Sequence, residues 1–164
     1  MAKILTFNHH ESFIKSLAAT GHDFDVVVRY ERLDLSWNKA ARPVPANVRL
    51  VEFDDDLRYK IQTGAYDVII CHTLKNLWWL FPFFKSRFIF IAHIPLFFTS
   101  PLLAVKSLLK KFFYGIFRLT HQVRFVAVSD FKRRMWGERG DVVVLTPEDV
   151  PALVPGEGYD KVLM

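Results

Sequence analysis

The chain has 164 residues, of which 51% are apolar and 15% aromatic, enough for one domain with a substantial core. Its one cysteine excludes an internal disulfide and fits a reducing compartment. The net charge of +5 is unevenly spread, because residues 68–129 hold 8 Lys and Arg, no Asp or Glu, and 14 of the 25 aromatic residues.

The composition predicts a cytoplasmic protein. The apolar run that starts the chain meets Asn8 too early for a secretory signal peptide. The longest apolar stretch, residues 88–98, is shorter than a membrane span and contains His93 and Pro95.

Strand-like apolar runs alternate with helix-like runs along the chain. The predicted strands are residues 4–7, 24–28, 48–53, 68–71, 88–92, 123–128 and 142–145. The predicted helices are residues 11–20, 54–63, 74–84 with a break at Pro82, 101–119 and 130–136, and residues 42–47 form a loop. This alternation predicts an α/β fold, with a Rossmann-like parallel sheet and helices on both faces.

The C-terminal residues have a different character. Residues 147–158 contain three prolines and two glycines and are typical of a linker. Residues 159–164, YDKVLM, begin an apolar run similar to the opening MAKILTF. We therefore expect a first domain over residues 1–146, a linker, and the start of a second α/β domain at residues 159–164. The alternative is a terminal strand that joins the same sheet.

Polar residues follow four of the predicted strands. In an open parallel sheet, ligands bind beyond the carboxyl ends of the strands. The residues predicted there are Asn8, His9, His10, His72, Thr73, His93 and Ser129. Four of the six histidines therefore belong to one edge of the predicted sheet, which indicates a ligand site.

Other kinds of site are less consistent with the sequence. Imidazoles bind zinc, but the cysteine lies inside a strand and no histidine pair has the spacing of one helical turn. The sequence contains no G-x-S-x-G nucleophile elbow, no G-x-G-x-x-G loop and no P-loop. Ser129 also has an ordinary explanation, as the N-cap of the helix that follows it. We predict no metal and no bound cofactor.

Four segments in the expected order resemble the N-terminal, acceptor-side half of GT-B glycosyltransferases of the family-four type. They are HESFIKSLAATGHDFDVVV, YDVIICHT, FIFIAHIP and VRFVAVSDFKRRMWG, the last being the most specific. Together the resemblance covers nearly all of residues 1–146.

The resemblance implies an enzyme that moves a sugar from a nucleotide-sugar donor to a glycan or lipid-linked acceptor, in a cleft between two domains. His93 corresponds to the histidine that faces the reacting sugar. Asn8, His9 and His10 occupy the loop that contacts donor phosphate or acceptor, and His72, Thr73 and Ser129 complete the substrate-binding edge. The C-terminal donor-binding domain would be the missing partner.

The sequence departs from the family in two loops. The loop after the first strand, NHHES, has no glycine, and HIPLFF lacks the acid often found beside the histidine. Three alternatives stay open: a non-catalytic Rossmann-like binding module, a nucleotide-sugar-modifying enzyme of a related fold, and a nucleic-acid-binding protein. The basic region lacks the Lys and Arg density of a phosphate-tracking surface, so we expect no nucleic-acid partner.

The helix predicted from Pro101 is both basic and amphipathic. Its apolar stripe comprises Leu102, Val105, Leu109, Phe112, Ile116 and Leu119, and Leu108, Phe113 and Phe117 widen it. Its cations are Lys106, Lys110, Lys111 and Arg118. Packing on a sheet explains such a stripe, and so does a peripheral position on an anionic membrane surface. We expect membrane docking, on the inner face of the membrane, where a lipid-linked acceptor would be reached.

Overall fold

The computed structural model describes residues 1–30, 33–38, 40, 42–83, 86–97 and 99–142. In these ranges the strands are β1 (Lys3–Phe7), β2 (Asp23–Tyr30), β3 (Leu33–Asp34), β4 (Val48–Glu52), β5 (Val68–Cys71), β6 (Arg87–Ala92), β7 (Gln122–Ala127) and β8 (Asp141–Val142). The helices are α1 (Glu11–Ala18), α2 (Asp55–Gln62), α3 (Leu74–Leu80), α4 (Pro101–Thr120) and α5 (Asp130–Trp136).

The strands form one twisted sheet of the Rossmann type. β4, β2, β1, β5, β6, β7 and β8 pair in parallel in that spatial order. β3 pairs antiparallel with the last two residues of β2. The chain winds outward from β1 to one side through β2 and β4, and then to the other side from β5 onward. The order reverses between β1 and β5, so a cleft is expected beyond the carboxyl ends of these two strands.

Helices cover both faces of the sheet, as predicted. On one face, α1 contributes Phe13, Ile14 and Ala18 to a buried cluster. On the other face, α2 to α5 bury a larger core, to which each helix contributes at least one large side chain: Leu57, Ile61, Leu77, Leu80, Tyr114, Phe117 and Trp136. This burial of apolar surface is the main source of the fold's stability.

The helix ends follow local chemistry. Asp54, Thr73, Ser100 and Ser129 each accept a backbone N–H bond at the start of a helix. α3 ends at Leu80, earlier than the predicted residue 84, because Pro82 has no backbone N–H with which to continue the helical hydrogen bonds. α1 ends at Ala18, ahead of Gly21, whose φ is +77°.

The observed strands differ from the predicted ones at β3 and at the C-terminal end of the described chain. The two-residue strand β3 was not predicted, because it is too short to show a pattern. Of the predicted strand 142–145, the structure describes β8 as far as Val142. The rest of that strand, the linker and the start of a second domain lie outside the described residues.

Candidate functional site

The predicted histidine edge comes together at the switch point of the sheet. His9 and His10 follow β1, His72 follows β5 directly, and His93 follows β6 directly. The rings of His9 and His93 are 4.7 Å apart, and those of His72 and His93 are 5.1 Å apart, measured between ring centroids. We call these four residues the histidine cluster.

His72 is the buried centre of the cluster. It is 2% exposed, and both of its ring nitrogens are hydrogen-bonded. Nε2 lies 2.9 Å from Oγ1 of Thr6, and Nδ1 lies 3.0 Å from Nε2 of His93. Its backbone N–H donates to Oδ1 of Asn76, at 3.2 Å. These bonds fix the ring of His72 and, through it, the ring of His93.

His9 and Phe13 close the cluster from the side of α1. The His9 ring lies parallel to the His72 ring, with centroids 5.7 Å apart. The buried Phe13 ring lies edge-on to both His72 and His93, at 5.2 Å from each. His10 is exposed and is the N-cap residue of α1, although its side chain makes no cap hydrogen bond. The cluster therefore has a dry inner side and an accessible outer side.

Three members of the cluster, His9, His72 and His93, are held in the neutral state. Burial, together with the repulsion that protonated His9 and His10 and the charged Lys132 on α5 would exert on a protonated ring, lowers the pKa of His93 to about 4. Burial and the other histidines lower the pKa of His72 well below its usual value. Burial and the charge of His10 lower the pKa of His9. At neutral pH these three imidazoles are therefore uncharged.

Two proton arrangements are compatible with the hydrogen bonds Thr6–His72–His93. In one, the Thr6 hydroxyl donates to Nε2 of His72, Nδ1 of His72 donates to Nε2 of His93, and Nδ1 of His93 carries a proton to donate. In the other, every donor and acceptor is exchanged, and Nδ1 of His93 becomes an acceptor. No described residue bonds to this Nδ1. It can therefore donate a hydrogen bond to a sugar or phosphate oxygen, or accept one from a hydroxyl group.

Asn8 lies beside a cavity at the edge of the cluster. Its Nδ2 donates to the carbonyl oxygen of Leu35 at 2.7 Å, while its buried Oδ1 has no partner among the described residues. The cavity has a volume of about 530 Å³ and is lined by Asn8, His9, His10, Glu11, Ser12, Leu35, Ser36 and Arg42. A volume of this size suits a small polar ligand.

Thr73 and Ser129 lie at the same edge but serve as helix caps. Thr73 Oγ1 accepts from the N–H of Asn76, and Oδ1 of Asn76 accepts from the N–H of Thr73 at 3.0 Å. Ser129 Oγ accepts from the N–H of Lys132 at 3.3 Å. Their predicted substrate-binding role stays a prediction.

Four residues that contribute to this site were not predicted from the sequence: Thr6, Phe13, Asn76 and Lys132. Thr6 lies inside an apolar strand and is fully buried. The signal for its role is that a buried hydroxyl group needs a hydrogen-bond partner. Phe13 lies on the buried face of α1 with Ala18, but the helical period alone does not place it against the histidines. Asn76 could have been identified from the sequence, because Thr73-x-x-Asn76 has the spacing of a capping box at the start of a helix. Among the described residues, no group of three or more His, Cys, Asp or Glu is arranged to hold a metal ion.

No protein-family model and no curated protein matches the sequence. Among solved structures, the chain is similar to the dTDP-glucose 4,6-dehydratase of Bacillus anthracis str. Ames in complex with NAD, at 12% identity and a TM-score of 0.45. The match covers 77% of this chain and 54% of the dehydratase, so the chain spans about half of that protein. The fold assignment rests on the chain's own strand order.

Proposed function

We propose that the chain is the acceptor-side half of a glycosyltransferase, which moves a sugar from a nucleotide-sugar to a glycan or lipid-linked acceptor. The observation that carries the proposal is the histidine cluster at the switch point, with His93 held by His72 and one ring nitrogen left for a ligand. Clustered groups of perturbed pKa beside a cavity are typical of functional sites. The resemblance of the four segments to family-four transferases agrees with this location.

His93 would face the reacting sugar. Because its pKa is about 4, it acts as a neutral hydrogen-bonding group at neutral pH and not as a fixed cation. His9, His10 and Asn8, beside the cavity, would contact donor phosphate or acceptor hydroxyl groups. Most of the charge stabilisation of the leaving diphosphate would come from the second domain.

A second candidate is a nucleotide-sugar-modifying enzyme of a related fold. It is favoured by the position of the cluster, since dinucleotides bind at the same switch point of Rossmann folds. The loop between β1 and α1 argues against a dinucleotide. That loop has no glycine, and the side chains of His9 and His10 stand where a pyrophosphate would need to approach the backbone.

The two candidates differ in what happens to the nucleotide. The protein translated from the complete reading frame is incubated with a panel of nucleotide-sugars and a lipid extract, with and without NAD. Transfer predicts release of a nucleoside diphosphate and appearance of the sugar in the lipid or glycan fraction. A sugar that is altered while still attached to its nucleotide, and only when NAD is present, would replace the proposal with the second candidate.

A further inference from the structure

Helix α4 turns its predicted apolar stripe away from the protein. Its buried residues are Ser107, Tyr114 and Phe117, of which Tyr114 and Phe117 contact rings of β6 and α5. The most exposed apolar side chains are Leu102 (64% exposed), Val105 (54%), Leu108 (58%), Leu109 (61%), Phe112 (68%) and Leu119 (89%), which we call the outer face of α4. A continuous apolar stripe on a solvent-exposed helix indicates a surface that is covered by a partner.

The basic residues border this stripe. On an α-helix, positions 106 and 110 lie one turn apart at one border of the outer face, and positions 111 and 118 lie at the other. Lys106 and Lys110 are exposed and have no ion-pair partner among the described residues. Arg118, in contrast, pairs with Glu138 at 2.7 Å. Lys106 and Lys110 are therefore the cations most available to an anionic partner.

The loop after β6 connects α4 to the histidine cluster, through Ser107 on the buried side of the helix. Ile94, the residue after His93, is 51% exposed, and Phe97 is 47% exposed. Oγ of Ser107, on α4, bonds to both the N–H and the carbonyl oxygen of Phe97, at 3.1 and 2.8 Å. Nε1 of Trp136 donates to the carbonyl oxygen of Ile94 at 3.1 Å. The loop is thus fixed to α4 with apolar side chains exposed next to His93.

The charge pattern favours lipid over a second copy of this chain. Residues 68–129 contain no acidic residue, so the outer face offers cations and apolar groups only. In a two-fold symmetric dimer, the outer face would meet its own copy and bring like charges together. An anionic bilayer surface offers the opposite charge beside an apolar interior. No described helix has the length and apolar character to cross a membrane, so the contact would be peripheral.

We infer that the outer face of α4 docks on an anionic lipid surface. This deepens the proposed function, because residues 94–97 join α4 to His93 and would hold the site close to an acceptor carried by the lipid. Apolar side chains enter the acyl boundary, while Lys106 and Lys110 lie at the headgroups.

The test is sedimentation of the full chain with vesicles of phosphatidylcholine alone and of phosphatidylcholine with phosphatidylglycerol, at low salt. We expect binding to the anionic vesicles and little to the neutral ones. The double variant Lys106→Gln and Lys110→Gln is expected to lower the partition coefficient about 30-fold, from the usual contribution of two cations near such a surface. Phe112→Ser is expected to lower it by at least tenfold.

Matched controls separate this face from general charge and apolarity. The double variant Arg58→Gln and Lys60→Gln removes the same charge from α2, and Tyr59→Ser removes a ring that is 65% exposed there. Both controls are expected to bind like the wild type. Equal recovery of the wild-type chain in the supernatant with both vesicle types would overturn the inference. It would also be overturned if the α2 control variants lost as much vesicle binding as the α4 variants.

A second copy of the chain is tested by sedimentation velocity without lipid. A dimer that Phe112→Ser converts to a monomer, in a protein that does not bind vesicles, would assign the outer face to self-association and overturn the inference. Neither experiment needs enzymatic activity. A failure of lipid binding therefore leaves sugar transfer to be judged by its own assay, and a failure of transfer leaves docking to be judged by sedimentation.

Discussion

At the scale of single residues, the cluster depends on His72, which is almost fully buried and whose ring is hydrogen-bonded at both nitrogens. A buried imidazole loses its solvation and must recover hydrogen bonds from protein groups. Thr6 and His93 are those groups. Their geometry explains why a neutral histidine can be buried where a charged one could not.

Replacing Thr6 by Val removes a hydroxyl group and keeps the shape of the side chain. We expect Thr6→Val to lower the free energy of unfolding by about 1–3 kcal/mol, because Nε2 of His72 is left buried without a partner. The measurement is urea denaturation. Thr20→Val, at an exposed hydroxyl that bonds to the Leu17 carbonyl, is the control and should cost less than half as much. Equal losses would argue against a structural Thr6–His72 bond.

The lowered pKa values predict acid-sensitive stability. Unfolded histidine has a pKa near 6.5, whereas His93 has a pKa of about 4 in the folded protein. Between these values the unfolded chain binds more protons than the folded chain, so stability is full above pH about 6.5 and is lost as pH falls toward 4. After allowance for partial exposure, His93 contributes about 1–2 kcal/mol of this loss.

Thermal unfolding of wild type and His93→Gln across this pH window measures the effect. The variant should lose less stability on acidification than the wild type, because one of the groups that bind protons on unfolding is gone. Parallel pH dependences for the two proteins would contradict the assignment of a lowered pKa to His93.

The polar positions after the strands could be predicted from the sequence because parallel strands bring their carboxyl ends to one edge. Their mutual contacts could not. Whether His72 bonds to His93 or to solvent depends on the twist of the sheet and on the position of α1, which delivers Phe13 against both rings. Neither is encoded in local spacing.

At the scale of elements, β2 and β4 are joined by more than backbone pairing. Asp25 is 4% exposed and accepts from Nε and Nη2 of Arg49, directly across the strands, at 2.8 and 2.6 Å. The Tyr66 hydroxyl donates to the same carboxylate at 2.6 Å. Burial alone would raise the pKa of Asp25, but the hydrogen bonds from Arg49 and Tyr66 hold it below the usual value.

Arg49→Met should lower the free energy of unfolding by about 2 kcal/mol, since it leaves a buried carboxylate with one donor and the arginine side chain is itself partly solvated. The control is Arg29→Met on β2, whose ion pair with Glu52 spans 3.5 Å with both side chains exposed. That variant should change stability by less than about 0.5 kcal/mol. Guanidinium denaturation measures both. A similar, small loss of unfolding free energy in the two variants would show that the Asp25–Arg49 pair adds little to stability.

Helices and strands were predicted well where apolar periods or caps define them, as for β5 and α5, whose bounds agree with the structure. Which side of α4 faces the core could not be predicted in this way. Its most regular apolar stripe faces solvent, while a serine, a tyrosine and one phenylalanine face the core. Phe117, grouped with the outer residues by sequence, is fully buried. The spacing of apolar residues shows that a helix has an apolar stripe, but only its packing against the rest of the protein decides which side of the helix is buried.

At the scale of the whole molecule, the half-enzyme proposal predicts that this chain alone is inactive. The cleft would need groups from a second domain to stabilise the leaving diphosphate. Residues 1–164 should therefore release no nucleoside diphosphate from any nucleotide-sugar above a heat-denatured control. Sugar transfer by this chain alone would contradict the proposal that two domains form the site.

The fold class could be predicted because alternating buried strands and helices allow few topologies. The range of candidate functions could be narrowed only from the polar residues that follow the strands at one edge of the sheet. Under the proposed function, the donor sugar would be selected by side chains of a second domain, so no pattern in this sequence specifies it.

The most direct test of the central claim is the turnover of His93→Ala in the protein from the complete reading frame. We expect kcat to fall at least 100-fold while the thermal midpoint changes by only a few degrees, because under the proposal His93 would face the ligand, whereas the more deeply buried His72 is part of the packed interior. His22→Ala, before β2 at the opposite edge of the sheet, should keep wild-type turnover. Unchanged turnover in His93→Ala, or loss of folding without a separate loss of rate, would contradict the account.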